Sequence, residues 1–227
     1  DKMSKSKYNV QNPDDLVEKY GADTLRCYEM FLGPLEQHKP WDVHGITGVY
    51  GFLKKVWKLF QLQAGESFSD DQPSKKEQKI IHSTIKKVQE DLDRYSFNTP
   101  VSALMICVNE LTAIKCKNKE VLSNLCLLLS PYAPHIAAEL WMHLGNNTTI
   151  AKEKFPILKE EYLIEEAHKY PISFNGKMRF LLELPLDLSK EEIETKVMNN
   201  PLAEKYLQGQ TPKKIIIVPK KIVNIVL

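Results

Sequence analysis

Ile81-His82-Ser83-Thr84-Ile85-Lys86-Lys87-Val88-Gln89-Glu90-Asp91-Leu92-Asp93-Arg94-Tyr95 is the stretch on which the fold turns. Its apolar residues Ile81, Ile85, Val88, Leu92 and Tyr95 recur at intervals of four and three. That spacing gathers them on one side of an α-helix and predicts a seam packed against neighbouring helices. Upstream, Ile46, Val49, Tyr50, Leu53, Val56, Trp57 and Phe60 follow the same period, with Lys54, Lys55 and Lys58 expected on the opposite face. Residues 64–74, between these two helices, are polar and read as a linker. Downstream, Thr99-Pro100 starts a helix whose stripe is Val101, Leu104, Met105, Val108 and Leu111. Residues 120–129 are apolar nearly all round, which predicts a central helix. Pro131 and Pro134 separate it from a last helix carrying Ile136, Leu140, Trp141 and Leu144 and stopped at Gly145. Five consecutive helices with short connections predict a helical bundle.

Two shorter helices precede the bundle. Asn12-Pro13-Asp14-Asp15 reads as a helix start, with a capping Asn, a Pro at the first position and two acids at the positive end. Gly21 stops this helix, and a second runs over about 23–32 until Gly33-Pro34 breaks it. Near residue 170 the period changes. Tyr170–Phe174 and Arg179–Leu184 are β-like runs around Asn175-Gly176, the pair suited to a type I′ hairpin turn. Ser189 with Glu192 predicts a capping box, a further helical turn is expected over 201–207, and the chain closes on strands Lys214–Val218 and Ile222–Leu227. The acidic stretch Glu160–Glu166 is the expected tether to this module, which at about sixty residues is near the lower limit for an independent core. The fold class expected is mainly α, a helical bundle followed by a small α+β domain.

Composition places the chain among ordinary globular proteins, at 43% hydrophobic and 26% charged residues. No stretch approaches the roughly 20 apolar residues of a membrane span and no signal peptide is visible, so a cytoplasmic location away from membranes is expected. The chain starts at Asp1 rather than Met and reads as a fragment of something longer. Its net charge of +2 is unevenly spread. Lys54, Lys55 and Lys58 form one acid-free patch, and Lys213, Lys214, Lys220 and Lys221 another. Any single patch reads more readily as solvated surface, whereas several together suit a polyanion touched at separate places. Cys27, Cys107, Cys116 and Cys126 show no C-x-x-C and no zinc-type spacing, so they read as core residues and no metal site is expected.

The chain opens on Lys2-Met3-Ser4-Lys5-Ser6. Two lysines three apart among small hydroxyl residues suit a flexible loop that closes on a polyphosphate, where mobile ammonium groups make charge-assisted bonds. This spelling resembles the second signature of class I aminoacyl-tRNA synthetases. So do Lys19-Tyr20-Gly21-Ala22-Asp23-Thr24-Leu25-Arg26, Lys39-Pro40-Trp41, Phe97-Asn98-Thr99-Pro100 and Ser130-Pro131-Tyr132-Ala133-Pro134-His135. The tail, with Phe174-Asn175-Gly176-Lys177 and Val218-Pro219 followed by Ile222-Val223-Asn224-Ile225-Val226, resembles the small C-terminal domain of bacterial-type leucyl-tRNA synthetases. An isoleucyl or valyl enzyme, or a non-catalytic tRNA-binding module, is the alternative.

The resemblance implies three parts: residues 1–42 as the end of a catalytic domain, 43–166 as an anticodon-binding-type bundle, and 167–227 as a tRNA-binding α+β domain. It implies a monomeric ligase that joins leucine to ATP, supplied with magnesium, and transfers the leucyl group to tRNA(Leu), with no DNA partner. Lys5 and then Lys2 are the implied stabilisers of the leaving pyrophosphate, within an ATP-handling loop of Lys2, Met3, Ser4, Lys5 and Ser6. The implied tRNA contacts are Lys54, Lys55 and Lys58, and in the tail Lys177, Arg179, Lys213, Lys214, Lys220 and Lys221. Tyr8 and Lys220 stand where many relatives carry Gly, which implies a stiffer hinge at the first and an added charge at the second.

Overall fold

Helix boundaries fall where the sequence supplies caps. In this computed structural model, which describes residues 3–8, 10–39, 41–42, 45–164, 167–219 and 221–227, Asn12 accepts from the Asp14 amide at 3.2 Å at the start of α1 (Pro13–Tyr20). Gly21 then takes φ +87° and turns the chain into α2 (Ala22–Phe31). The bundle follows as α3 (Gly45–Leu59), α4 (Lys75–Asp93), α5 (Thr99–Ala113), α6 (Lys119–Leu129) and α7 (Pro134–His143). A Ser74–Glu77 capping box, absent from the sequence reading, starts α4, and Asn118 caps α6 by accepting from the Val121 amide.

The chain divides into two compact units, residues 1–163 and 164–227. In the first, α6 is central as expected, with Val121, Leu122, Leu125, Cys126, Leu128 and Leu129 all buried. Ile46, Val49, Leu53, Val56 and Phe60 face the same core, together with Ile81, Ile85 and Val88 of α4. Two expectations fail here. Tyr50 and Trp57 are exposed, because the buried arc of α3 is rotated toward Phe52 and leaves them on its rim. Tyr95 lies past the end of α4 at φ +57°, with its ring exposed.

That early end has an electrostatic cause. Asp91 is buried, and its carboxylate accepts from Thr99 Oγ1 at 2.5 Å, Lys87 Nζ at 2.8 Å and an Arg94 guanidinium nitrogen at 3.1 Å. Its carbonyl accepts the Ser96 amide, so the chain wraps around Asp91 before α5 begins. Burial alone would raise the carboxyl pKa. The bonds from Lys87, Thr99 and Arg94 and the charge of Lys87 outweigh it and hold the group below its ordinary value. The four cysteines are free and buried, and burial pushes each thiol up to about 12. The polar 64–74 linker is tied down, since Ser69 pairs with the backbone on both sides of Asn118 and Asn118 Nδ2 donates to the Asp71 carbonyl at 2.7 Å.

In the second unit, β1 (Ala167–Phe174) and β2 (Lys177–Pro185) form the hairpin, followed by α8 (Lys190–Met198), α9 (Pro201–Leu207), β3 (Lys214–Val218) and β4 (Ile222–Val226). The sheet order is β2-β1-β4-β3, with β1 and β4 parallel and the other pairs antiparallel. Tyr170, Ile172, Phe174, Leu184, Val223 and Ile225 meet Ile193, Val197, Ala203 and Leu207 of the two helices in a small separate core. Asn175 and Gly176 both take positive φ, as a type I′ turn requires.

The segment leaving the first unit is latched to α4. His82 is buried, its Nδ1 accepts the Lys159 amide at 3.2 Å, and its ring lies 4.9 Å from that of Tyr162, in the 3-10 turn Glu160–Leu163. Burial and then the Lys159 charge lower its pKa, against smaller opposing effects of Glu120 and Glu161. The unfolded chain therefore binds a proton at His82 more readily than the folded one, and stability falls as pH drops below about 6.5. Acidifying from pH 7 to 5.5 is expected to lower the protection factor of the Lys159 amide, its exchange being divided by the intrinsic rate at each pH. In His82→Leu that amide should be unprotected at both pH values; a protected amide in the variant would refute the latch.

Candidate nucleic-acid interface

At the start of the chain, Lys5–Lys7 forms a single 3-10 turn closed by the Lys7 amide on the Ser4 carbonyl at 3.1 Å. The Ser4 and Ser6 hydroxyls lie 3.1 Å apart and bond to each other, while Met3 is 41% exposed. Lys2 lies outside the described residues, and only the backbone of Lys5 is described. Tyr8 adopts φ +53°, the left-handed region in which glycine is at ease, with its ring fully in solvent. A side chain at this φ carries conformational strain that a glycine would not.

The loop leads into helices that are fixed to the bundle. Cys27 and Tyr28 of α2 are buried in its core, and the Tyr28 hydroxyl donates to the Asp42 carbonyl. The Asp23 carboxylate accepts the Ile136 amide at 2.7 Å, the His135 amide at 3.3 Å, and lies 2.7 Å from His135 Nδ1. A carboxylate at the positive end of α7 is favoured by the helix dipole. Arg26 adds a bond to the Pro131 carbonyl at 3.2 Å. None of these long-range partners is readable from the sequence, where Asp23 and His135 are 112 positions apart.

The three α3 lysines do not act as one patch. Lys54 sits over the Tyr50 ring at 4.5 Å, and Lys58 is exposed farther along α3. Lys55 instead reaches across to α5, donating to Asn109 Oδ1 at 3.2 Å. Beside Lys54 runs a groove of about 430 Å³ between Tyr20, Tyr50, Trp57 and Ile136. The two rings that the periodicity assigned to the core are thus its walls.

In the second unit the register sorts the basic residues into two groups. Lys177 opposes Phe174, Phe174 opposes Ile225, and Ile225 opposes Ile215, the neighbour of Lys214. Lys177 and Lys214 therefore lie at one end of the sheet, three strand spacings apart or about 14 Å. Lys213 is at the same end, and its ammonium donates to the Leu227 carbonyl at 3.2 Å. Arg179 stands in the bulge of β2, 5.3 Å from the Tyr206 ring. Lys221 follows the turn at the opposite end of β3, and Lys220 lies outside the described residues. Among the described residues no cluster of His, Cys, Asp and Glu is arranged to hold a metal ion, and no helix is long and apolar enough to cross a membrane.

Comparison with known proteins gives these surfaces a context. Residues 79–195 match the family model described as the anticodon-binding domain of tRNA ligase, and residues 1–46 match that of class I tRNA synthetases (I, L, M and V). The chain is 60% identical to part of the leucine–tRNA ligase of Christiangramia forsetii, 58% to that of Phocaeicola vulgatus and 56% to that of Cytophaga hutchinsonii. Each match takes in 100% of the chain but only 24%, 24% and 25% of the relative, so the chain spans about a quarter of their length. A solved structure described as the ternary complex of Agrobacterium radiobacter LeuRS with tRNA and LeuAMS shares 28% identity at a TM-score of 0.67, covering 99% of the chain and 31% of that protein.

The hairpin turn positions Lys177 and is sensitive to one atom. At Gly176, φ is +77° and an added Cβ would meet nothing within 4 Å, so substitution acts through conformation alone. Gly176→Ala should destabilise the second unit by about 1–2 kcal/mol, read as a lowered urea midpoint of that unit. An unchanged midpoint would contradict the left-handed assignment.

Proposed function

The chain belongs to the family of tRNA-ligase anticodon-binding domains, and from that premise we propose that it is the C-terminal part of a leucine–tRNA ligase. The observation that carries this reading is identity of 55–60% along the whole chain, tail included, to leucine–tRNA ligases from several bacteria. The isoleucyl and valyl alternatives share the class I match over residues 1–46, whose model takes in the I, L, M and V enzymes together. In this reading the whole protein is cytoplasmic and monomeric, activates leucine with magnesium-bound ATP and passes the leucyl group to tRNA(Leu).

The three parts then divide the labour. Residues 1–42 close the catalytic domain, 43–166 form the bundle that supports the tRNA, and 167–227 meet the tRNA separately. At the opening loop, the leucine carboxylate attacks the α-phosphate and pyrophosphate leaves with growing negative charge. Lys5, with Lys2, meets that charge; positioning and electrostatics do the work, with no covalent intermediate on the protein. Met3 packs the loop. The Ser4–Ser6 hydroxyl contact and the turn at Lys5–Lys7 keep the loop compact in the free chain. Along the bundle and the tail, lysines reach phosphates rather than bases, which sets orientation on the RNA without reading its sequence.

Two measurements test this. In the full-length ligase, Lys5→Ala should slow ATP–pyrophosphate exchange roughly 100-fold in kcat with a smaller change in the KM for ATP. A normal kcat with raised KM would mean that Lys5 binds ground state and transition state alike. In the tail, Lys213→Glu combined with Lys214→Glu should weaken tRNA(Leu) binding and reduce the salt slope by about 2. Unchanged affinity and slope would remove those lysines from the interface.

A further inference from the structure

We propose that the groove walled by Tyr20, Tyr50 and Trp57 and edged by Lys54 is a stacking site for an unpaired base of the bound tRNA. This rests on the tRNA-binding reading above and adds to it a contact that phosphate-facing lysines cannot make. Tyr50 and Trp57 are seven residues apart on α3, and Lys54 lies between them on the same side of the helix. Trp57 is 44% exposed and Tyr50 36%, in a helix whose other aromatic, Phe52, is buried. What sets these two rings apart is that they share one groove with Tyr20 at the rim of a well-packed core, and contiguous rings of this kind suit a contact surface.

The charges at the groove select its occupant. Lys54 lies 4.5 Å above the Tyr50 ring and Lys19 lies 5.0 Å above that of Tyr20, so each tyrosine at the rim carries an ammonium. Tyr20 and Tyr50 meet edge to face at 5.7 Å. Asp23 is the acid on the lining, and its carboxylate is committed to the α7 amides and His135. An apolar protein segment would leave both ammonium groups without a counter-charge. A nucleotide satisfies the whole arrangement, since its base stacks on the rings while its phosphate meets the lysines. At about 430 Å³ the groove has room for a single base and its ribose. A paired base keeps both faces in the helical stack, so the occupant is unpaired.

Trp57 provides its own reporter. The chain has three tryptophans; Trp141 is buried and Trp41 is partly buried beside Tyr28. Titrating the chain with a tRNA(Leu) transcript should quench the Trp57 emission, and Trp57→Phe should lose the quench while keeping most of the affinity. A fully paired RNA duplex should not quench. Trp57→Ala should weaken tRNA binding about tenfold, the effect of losing one base–aromatic stack, with the salt slope unchanged because no phosphate contact is removed. Circular dichroism identical to wild type separates this from unfolding. Equal affinity of wild type and Trp57→Ala, with no quench on binding, would overturn the proposal and leave the groove to a protein segment. If the wild-type chain bound no tRNA at any salt concentration, the tRNA-binding reading itself would fail, and the stacking site with it.

Discussion

Burial of α2 in the bundle core is the constraint on which the first unit depends. The helix is short, and its place is set by what it inserts: Cys27 and Tyr28, both almost completely enclosed. Asp23 then fixes its rotation, because one carboxylate accepts two amides at the start of α7 and pairs with His135. Moving α2 would expose an aromatic ring and leave helix-end donors unpaired, each a loss of about 1–3 kcal/mol. The opening loop therefore hangs from an element that cannot shift without opening the core. A loop proposed to meet a developing charge needs such a base, since electrostatic stabilisation is lost with small errors of position.

The same burial decides which side of α3 faces outward. α2 and α5 both pack on α3, and the arc they cover includes Phe52 and excludes Tyr50 and Trp57. Lys54 and Lys55, adjacent in sequence, are sent to different neighbours. One lies on an aromatic ring at the groove, and the other is bonded to Asn109 across the helix pair. Adjacent lysines on a helix differ by about 100° in direction, so a sequence patch is seldom a surface patch. The tail repeats the lesson in β form. Lys214 and Lys221 are seven positions apart but sit at opposite ends of β3, whereas Lys177, far away in sequence, shares an end with Lys213 and Lys214.

Much of the architecture was legible because local chemistry and periodicity agree. Asn12-Pro13, Thr99-Pro100 and Ser189 with Glu192 each start a helix where the sequence predicts it, and Asn175-Gly176 makes its turn. The failures share a cause. Tyr95 fits the four–three pattern, but the Asp91 hub ends the helix first, and that hub depends on Thr99 arriving from the next helix. Tyr50 and Trp57 fit a core stripe because period alone cannot separate the middle of an apolar arc from its rim. The role of His82 is invisible in the sequence because its partner, the Lys159 amide, is 77 positions downstream. At the candidate site, residue types and the basic groups were readable, but which lysines share a surface was not, because that is settled by register and helix rotation.

Basic residues lie on both units, and an RNA bound as proposed would meet the two sets. A single lysine–phosphate contact at physiological salt is weak. The units are joined by a segment whose upstream end, Lys159–Leu163, is held against α4 by His82 and Tyr162. For an RNA bound as proposed, two contacts carried on one chain would give an avidity that neither has alone. The proposed stacking contact in the first unit would complement this arrangement, because a stacked base fixes register along the RNA while phosphate contacts tolerate sliding.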